Sequence, residues 1–183
     1  MTGRDLLFWS LFTPLIPQAL WIRKTAARFP SAEGEPAGQS GQSDETIRLL
    51  AVGDSIIAGV GANTLEKALV GRTAQSLAQA TGARVSWTAK GESGVTSRYI
   101  ATRTLPGVAE ETEDLQFDAI LVSAGVNDVI SLHSLGRWRR DIEALLTALT
   151  GRWPEAVIAF SGLPPMNHFP ALPQPLRAVF GMR

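Results

Sequence analysis

Thr46-Ile47-Arg48-Leu49-Leu50-Ala51-Val52-Gly53-Asp54-Ser55 runs from a short apolar stretch directly into a glycine and two polar residues. An apolar run of this length, stopped by a turn signal, reads as a buried strand over residues 46–52. Moving outward, residues 65–80 (LEKALVGRTAQSLAQA) place Leu65, Leu69, Ala74, Leu77 and Ala78 at helical spacing, with Gly82 as a stop. Arg84–Ala89 alternates like a strand, and Thr96–Thr104 reads as helix. Asp118–Ala124 (DAILVSA) is the strongest strand in the chain. Residues 136–150 form an amphipathic helix with Trp138, Ile142, Leu145, Leu146 and Leu149 on one face. Ala156–Phe160 is a fourth strand before a proline-rich loop. This alternation predicts an α/β fold: a parallel sheet covered by helices on both faces.

Composition narrows the chemistry. The 183 residues hold 17 Lys+Arg against 17 Asp+Glu, two His and no Cys. A 45% hydrophobic content supports a real core and excludes a disordered chain. Zero net charge gives no footprint for nucleic acid or for an acidic membrane surface. Without Cys there are no disulfides, thiolate metal sites or Cys nucleophiles. With only His133 and His168, a His-rich metal cluster is excluded, and no cofactor or metal is expected. Hydroxyls, carboxylates, amides and backbone must do the work.

The chain divides into an apolar segment (1–29), a Gly/Pro/Ser/Gln-rich linker (30–43) and a domain (44–183). Residues 6–22 (LLFWSLFTPLIPQALWI) carry no charge, and Arg23, Lys24 and Arg28 follow. Seventeen residues are at the lower limit for a span, and Pro14 and Pro17 interrupt backbone hydrogen bonding in the middle. Three readings stand side by side: an interfacial membrane tether, a segment packed on the domain, and a true span. A cleaved signal is disfavoured because the basic residues follow the apolar run. A span would leave Arg23, Lys24 and the domain on the cytoplasmic side. The protein is accordingly expected in the cytoplasm or on the cytoplasmic face of a membrane.

In an open parallel sheet, ligands sit beyond the carboxyl ends of the strands, near the reversal of strand order. The four strands end in Gly53-Asp54-Ser55, Gly91-Glu92-Ser93-Gly94, Gly125-Val126-Asn127-Asp128 and Ser161-Gly162. A lone Gly-Asp-Ser is an ordinary turn sequence. Convergence of all four clusters on one edge is the informative feature. Ser55 would present its hydroxyl at the mouth as a nucleophile. Its own N–H, the Gly94 N–H and the Asn127 amide could form an oxyanion hole, where each donor is worth about 10²–10³ in rate. Glycine at 94 lets the backbone approach a substrate closely.

These three clusters resemble three sequence blocks of the SGNH (GDSL-like) hydrolases: Gly53-Asp54-Ser55, Ser93-Gly94-Val95-Thr96 and Gly125-Val126-Asn127-Asp128. The Leu163-Pro164-Pro165-Met166 loop is similar to one branch of that family, and the resemblance covers roughly residues 46–180, a single domain's worth. It implies a flavodoxin-like three-layer α/β/α sandwich. It also implies esterase or lipase activity on a small-molecule ester through Ser55, with Gly94 and Asn127 as oxyanion donors. Asp54 and Asp128 would support the turn and loop, or serve as plain turn carboxylates.

One part of the family pattern is missing. A serine hydroxyl needs an adjacent base, itself oriented by a third group. The family supplies both from a late Asp-x-x-His block, and this sequence contains none. His168, seven residues past the fourth strand, has no nearby acid in sequence, and His133 follows the Asn127 block in a loop or helix-cap position. The expectation is an SGNH hydrolase lacking its C-terminal strand and helix, with impaired activity. The competing reading is a non-catalytic module that holds an acyl or carboxylate group in the same cradle. A nucleotide-binding domain fails because Gly59-Val60-Gly61-Ala62-Asn63-Thr64 lacks the third glycine of the fingerprint and no Gly-Lys-Ser/Thr occurs. Arg137, Arg139 and Arg140 read as a solvated helix face.

Overall fold

A computed structural model describes residues 3–25 and 29–183. The chain forms two compact units, one of residues 29–162 and one combining the N-terminal segment with residues 163–183. In chain order the elements are helices α1 (Gly3–Phe12) and α2 (Ile16–Thr25), strands β1 (Ala37–Ser40) and β2 (Thr46–Gly53), helix α3 (Leu69–Thr81) and strand β3 (Arg84–Gly91). Then come helices α4 (Ser97–Tyr99) and α5 (Leu105–Glu111), strand β4 (Ala119–Ser123), helices α6 (Val126–Ile130) and α7 (Leu135–Arg152), strand β5 (Val157–Phe160) and helix α8 (Leu176–Phe180).

The larger unit is built on a five-stranded sheet of order β1-β3-β2-β4-β5. The four strands expected from the apolar runs are parallel neighbours, and β2 lies in the middle. The chain steps from β2 to β3 on one side and then to β4 on the other. The order therefore reverses around β2, and the crevice at a doubly wound switch point opens between the ends of β2 and β4. Register sharpens this: Gly53 pairs with Gly91 on one side and with Ser123 on the other, so three strands end level.

Alternating residues of β2 feed two separate cores. Leu50 and Val52 join Ile120 and Val122 beneath Ile100, Leu105, Val108, Leu145, Leu149 and Trp153. Leu49 and Ala51 face the other way, against Val70, Ala74 and Ala78 of α3, with Val85 and Trp87 of β3. Both faces are covered at the centre of the sheet, which is why Leu49–Val52 of β2 and Ile120–Val122 of β4 are apolar runs, whereas β3 still alternates.

Three local features differ from the expectation. The stretch read as a linker contributes β1, which pairs antiparallel with β3. Gly38 permits this because a Cβ there would lie 2.3 Å from the Trp87 ring, so the indole occupies the space a side chain would need. The helix expected to end at Thr104 continues to Glu111 through a π turn over Ile100–Thr104. Pro106 lacks an N–H, and widening the turn relieves the loss at that point. In α7 the centre of the buried face is Asp141, Leu145 and Leu149, flanked by Trp138, Ile142 and Leu146. A carboxylate thus sits where the periodicity predicts only apolar groups.

In the smaller unit, Gly3–Thr25 forms 23 helical residues, broken at Thr13–Leu15 by a 3₁₀ turn where Pro14 and Pro17 remove donors. By length and composition this helix could cross a membrane. Arg28, one of the basic residues after the apolar run, lies outside the described residues. Phe8 and Phe12 stack at 5.4 Å and meet Phe180 of α8 edge-on at 6.2 and 5.7 Å. The Arg4 Nε–H donates to the Met182 carbonyl at 2.8 Å, and Gln18 donates to the Gln174 carbonyl at 3.0 Å.

The level strand ends depend on bare backbone. A Cβ on Gly91 would fall 2.1 Å from the Ala58 nitrogen and 2.5 Å from the Ile57 carbonyl carbon. Gly91→Ala is expected to destabilise the domain by about 1–3 kcal/mol, the range for forced overpacking. Urea denaturation followed by circular dichroism measures it.

Candidate active site

Backbone contact brings the three loops together. The Asp54 N–H donates to the Ser123 carbonyl at 3.0 Å, and the Glu92 N–H donates to the Gly53 carbonyl at 3.1 Å. Gly53 has no room for a side chain, since a Cβ would lie 2.2 Å from the Ser123 oxygen. Ser55 follows immediately and is half-buried. Its carbonyl accepts from Val60, and that of Asp54 accepts from Ala58, so the chain coils away as a tight turn beyond the strand.

Asp54 is buried beneath this turn. Its Oδ1 accepts the Ile56 N–H at 3.1 Å and the Ser123 hydroxyl at 3.0 Å. Burial pushes the Asp54 carboxyl above its ordinary value; those two hydrogen bonds pull it down and the Asp128 charge adds to the rise.

Gly94 is exposed and left-handed, with φ +86° and open space around it. Two consecutive residues of α6 hold its loop. The Asn127 amide nitrogen donates to the Val95 carbonyl at 2.8 Å. Asp128 Oδ2 accepts both the N–H and the hydroxyl of Ser97, each at 2.9 Å. The loop bearing Gly94 and the helix bearing Asn127 are therefore one rigid piece. Each Asn side chain has two amide hydrogens, so the bond to Val95 leaves a second one for another acceptor.

The other oxygen of Asp128 meets His133 Nδ1 at 3.0 Å. The chain reaches this geometry through a Schellman turn at the end of α6. Leu132 takes the left-handed conformation (φ 58°), the His133 N–H donates to the Asp128 carbonyl, and the Leu132 N–H donates to that of Val129. A leucine held there costs about 1–2 kcal/mol relative to glycine, and nothing in the residue order announces it. Donor atoms of Asp128, His133 and Asp141 all lie within 4.8 Å of one another, a set that could in principle hold a cation. Two guanidiniums already face Asp141: Arg98 Nη1 at 3.7 Å and Arg137 Nε at 3.6 Å. Their charge opposes a divalent ion, so the cluster works as an ion network bracing α4, α6 and α7. Arg139 pairs with Glu143 at 3.7 Å on the exposed side of α7.

The residues singled out by the sequence thus lie at one sheet edge, Asp54, Ser55 and Gly94 on loops and Asn127 and Asp128 on the short helix α6. Sequence reasoning missed the bond between Asp128 and His133, because a spacing of five residues matches no helical pattern. His168 belongs to the smaller unit, where it is exposed at the end of a 3₁₀ turn over Met166–His168.

Comparison with known proteins converges on one family. The model of the GDSL-like lipase/acylhydrolase family matches residues 51–181. A GDSL-like esterase of Mycobacterium tuberculosis is 28% identical over 139 residues, covering 73% of this chain and 41% of that protein. The chain thus spans less than half of that relative's length. Among solved structures, AlinE4, an SGNH-hydrolase family esterase, aligns with a TM-score of 0.56 and 23% identity over 76% of this chain and 69% of that one. A G-D-S-L family protein from Desulfitobacterium hafniense DCB-2 aligns with a TM-score of 0.51 and 16% identity, over 73% and 65% of the two chains. Both likenesses support the same three-layer α/β fold.

Two measurements probe the site's electrostatics. A carboxyl raised on folding contributes stability that is full below its ordinary value of 3.8 and is lost as pH rises through the raised folded value. Asp54→Asn should keep the Ile56 and Ser123 bonds and flatten the fall in stability just above that pH, as read by thermal melts across an acid-to-neutral series. Asp128→Ala strips acceptors from the buried Ser97 groups and should cost about 2–4 kcal/mol in chemical denaturation.

Proposed function

Because the chain belongs to the GDSL-like lipase/acylhydrolase family, we propose that its site performs serine acyl transfer on a small-molecule ester. Ser55 is the nucleophile, and its own N–H, the Gly94 N–H and the Asn127 amide receive the developing oxyanion. The observation that carries this reading is the double grip of Asn127 and Asp128 on the Gly94 loop, at 2.8 and 2.9 Å. It supports two oxyanion donors fixed with respect to each other before substrate arrives, which is where electrostatic preorganisation acts.

In the proposed step the Ser55 oxygen attacks the ester carbonyl carbon as its proton passes to a base. The carbonyl oxygen takes up the negative charge among the three donors. The tetrahedral centre then collapses, expels the alcohol and leaves an acyl group on Ser55, which water removes in a second attack. The proton transfers are the weak point. The sequence contains no Asp-x-x-His, and of its two imidazoles His133 is engaged by Asp128 while His168 has no acid close by in sequence. The proposal therefore gives this chain a built oxyanion cradle and a nucleophile without an efficient base. The same features favour a second reading, in which the cradle holds an acyl or carboxylate group without turnover.

Added imidazole distinguishes them by supplying the missing base in solution. With p-nitrophenyl acetate, the chain alone should hydrolyse little above background. Imidazole should raise the rate of the wild-type chain above that of Ser55→Ala in the same buffer. A rescued difference supports acyl transfer at Ser55, and no difference supports the binding reading. Fast Ser55-dependent turnover without imidazole would show that a base is already in place.

A further inference from the structure

The zero net charge of the whole chain hides a strong segregation. Residues 1–28 and 163–183, the segments of the smaller unit, carry six Lys/Arg (Arg4, Arg23, Lys24, Arg28, Arg177 and Arg183) against Asp5 alone. The larger unit, residues 29–162, carries the remaining 11 Lys/Arg against 16 Asp/Glu. The balance that argued against an acidic membrane surface is thus the sum of a cationic part and an anionic part.

The cationic unit also exposes an apolar helix. Phe8 and Phe12 turn one side of α1 onto Phe180 of α8. The rest of α1 and α2 presents apolar side chains to solvent: Leu6 is 57% exposed, Leu20 60% and Trp21 64%, with Leu7, Trp9 and Ile16 also exposed. Such a density of exposed apolar groups marks a contact surface. Two tryptophans and the basic pair at the end of α2 match the aromatic and cationic anchors of the bilayer interface.

We infer that the unit formed by α1, α2 and residues 163–183 is an anchor for anionic lipid bilayers, with the helix lying in the interface. Charge selects the occupant. A surface this cationic is drawn to acidic headgroups and is repelled by a second copy of itself. Geometry selects the orientation. One side of α1 is engaged by α8 and the Met182 carbonyl, and that polar partner and the charges of Arg4 and Arg183 belong at a wet boundary. A helix buried in hydrocarbon on every side would have to carry them with it. Trp21 and Leu20 enter the acyl boundary while Arg23 and Lys24 meet the headgroups.

The test uses the purified full chain with phosphatidylcholine vesicles, with and without phosphatidylglycerol. Sedimentation with the anionic vesicles, weakened by salt, is expected, together with about tenfold or greater loss in Leu20→Glu/Trp21→Glu, since two exposed apolar groups leave the interface. Arg23→Glu/Lys24→Glu should lose the preference for anionic lipid and keep its fold by circular dichroism, which separates lipid binding from misfolding. Alkaline carbonate should release the chain from membranes of cells that express it. Equal binding to both vesicle types, retention through the carbonate wash, or self-association with no vesicle binding would each overturn the inference.

Discussion

The Asp128 carboxylate is the interaction on which the site's geometry turns. It is 1% exposed, and its two oxygens serve Ser97 on one side and His133 on the other. A buried carboxylate needs hydrogen-bond partners, and here both of its oxygens have them. In satisfying Asp128, the chain fastens the loop after β3 to the helix after β4. Those are the two segments that would supply the oxyanion donors beside Ser55. Asp54 does the equivalent for the first loop, tying its turn to Ser123 at the end of β4. Two adjacent carboxylates, both below the surface, thus join three strand ends that the sheet has already brought level.

Much of this was legible in the residues. The apolar run ending at Gly53 predicts a buried strand, and it is the middle of the sheet with a core on each face. Periodicity located α3 and α7 because their burial is one-sided. It failed where local structure depends on a distant partner. β1 forms because Gly38 leaves room for the Trp87 ring, which no pattern in residues 30–43 encodes. Asp141 sits within an apolar stripe because Arg98 and Arg137 face it, a pairing across 42 intervening residues on one side of the cluster and a single helical turn on the other. The strained Leu132 that brings His133 back to Asp128 has no signature at all.

The two proposals divide along the same line as charge. The anionic larger unit carries Ser55, Gly94 and Asn127, the residues of the proposed acyl-transfer cradle. The cationic smaller unit carries the exposed apolar helix and His168. An esterase chemistry that met its substrate at a lipid surface would use both properties, since the interface would concentrate an amphiphilic ester near the anchored chain. The catalytic proposal and the lipid proposal nevertheless rest on separate observations, one on hydrogen bonds around Asp128 and one on exposure and charge in α1 and α2.

The central claim is that Ser55 is the nucleophile of the cradle. Mass spectrometry of the full chain after prolonged exposure to a fluorophosphonate in the presence of imidazole tests it most directly. A single adduct on the peptide containing Ser55, absent from Ser55→Ala, is the predicted result. An adduct on another serine, or equal labelling of the wild-type chain and Ser55→Ala, would contradict it.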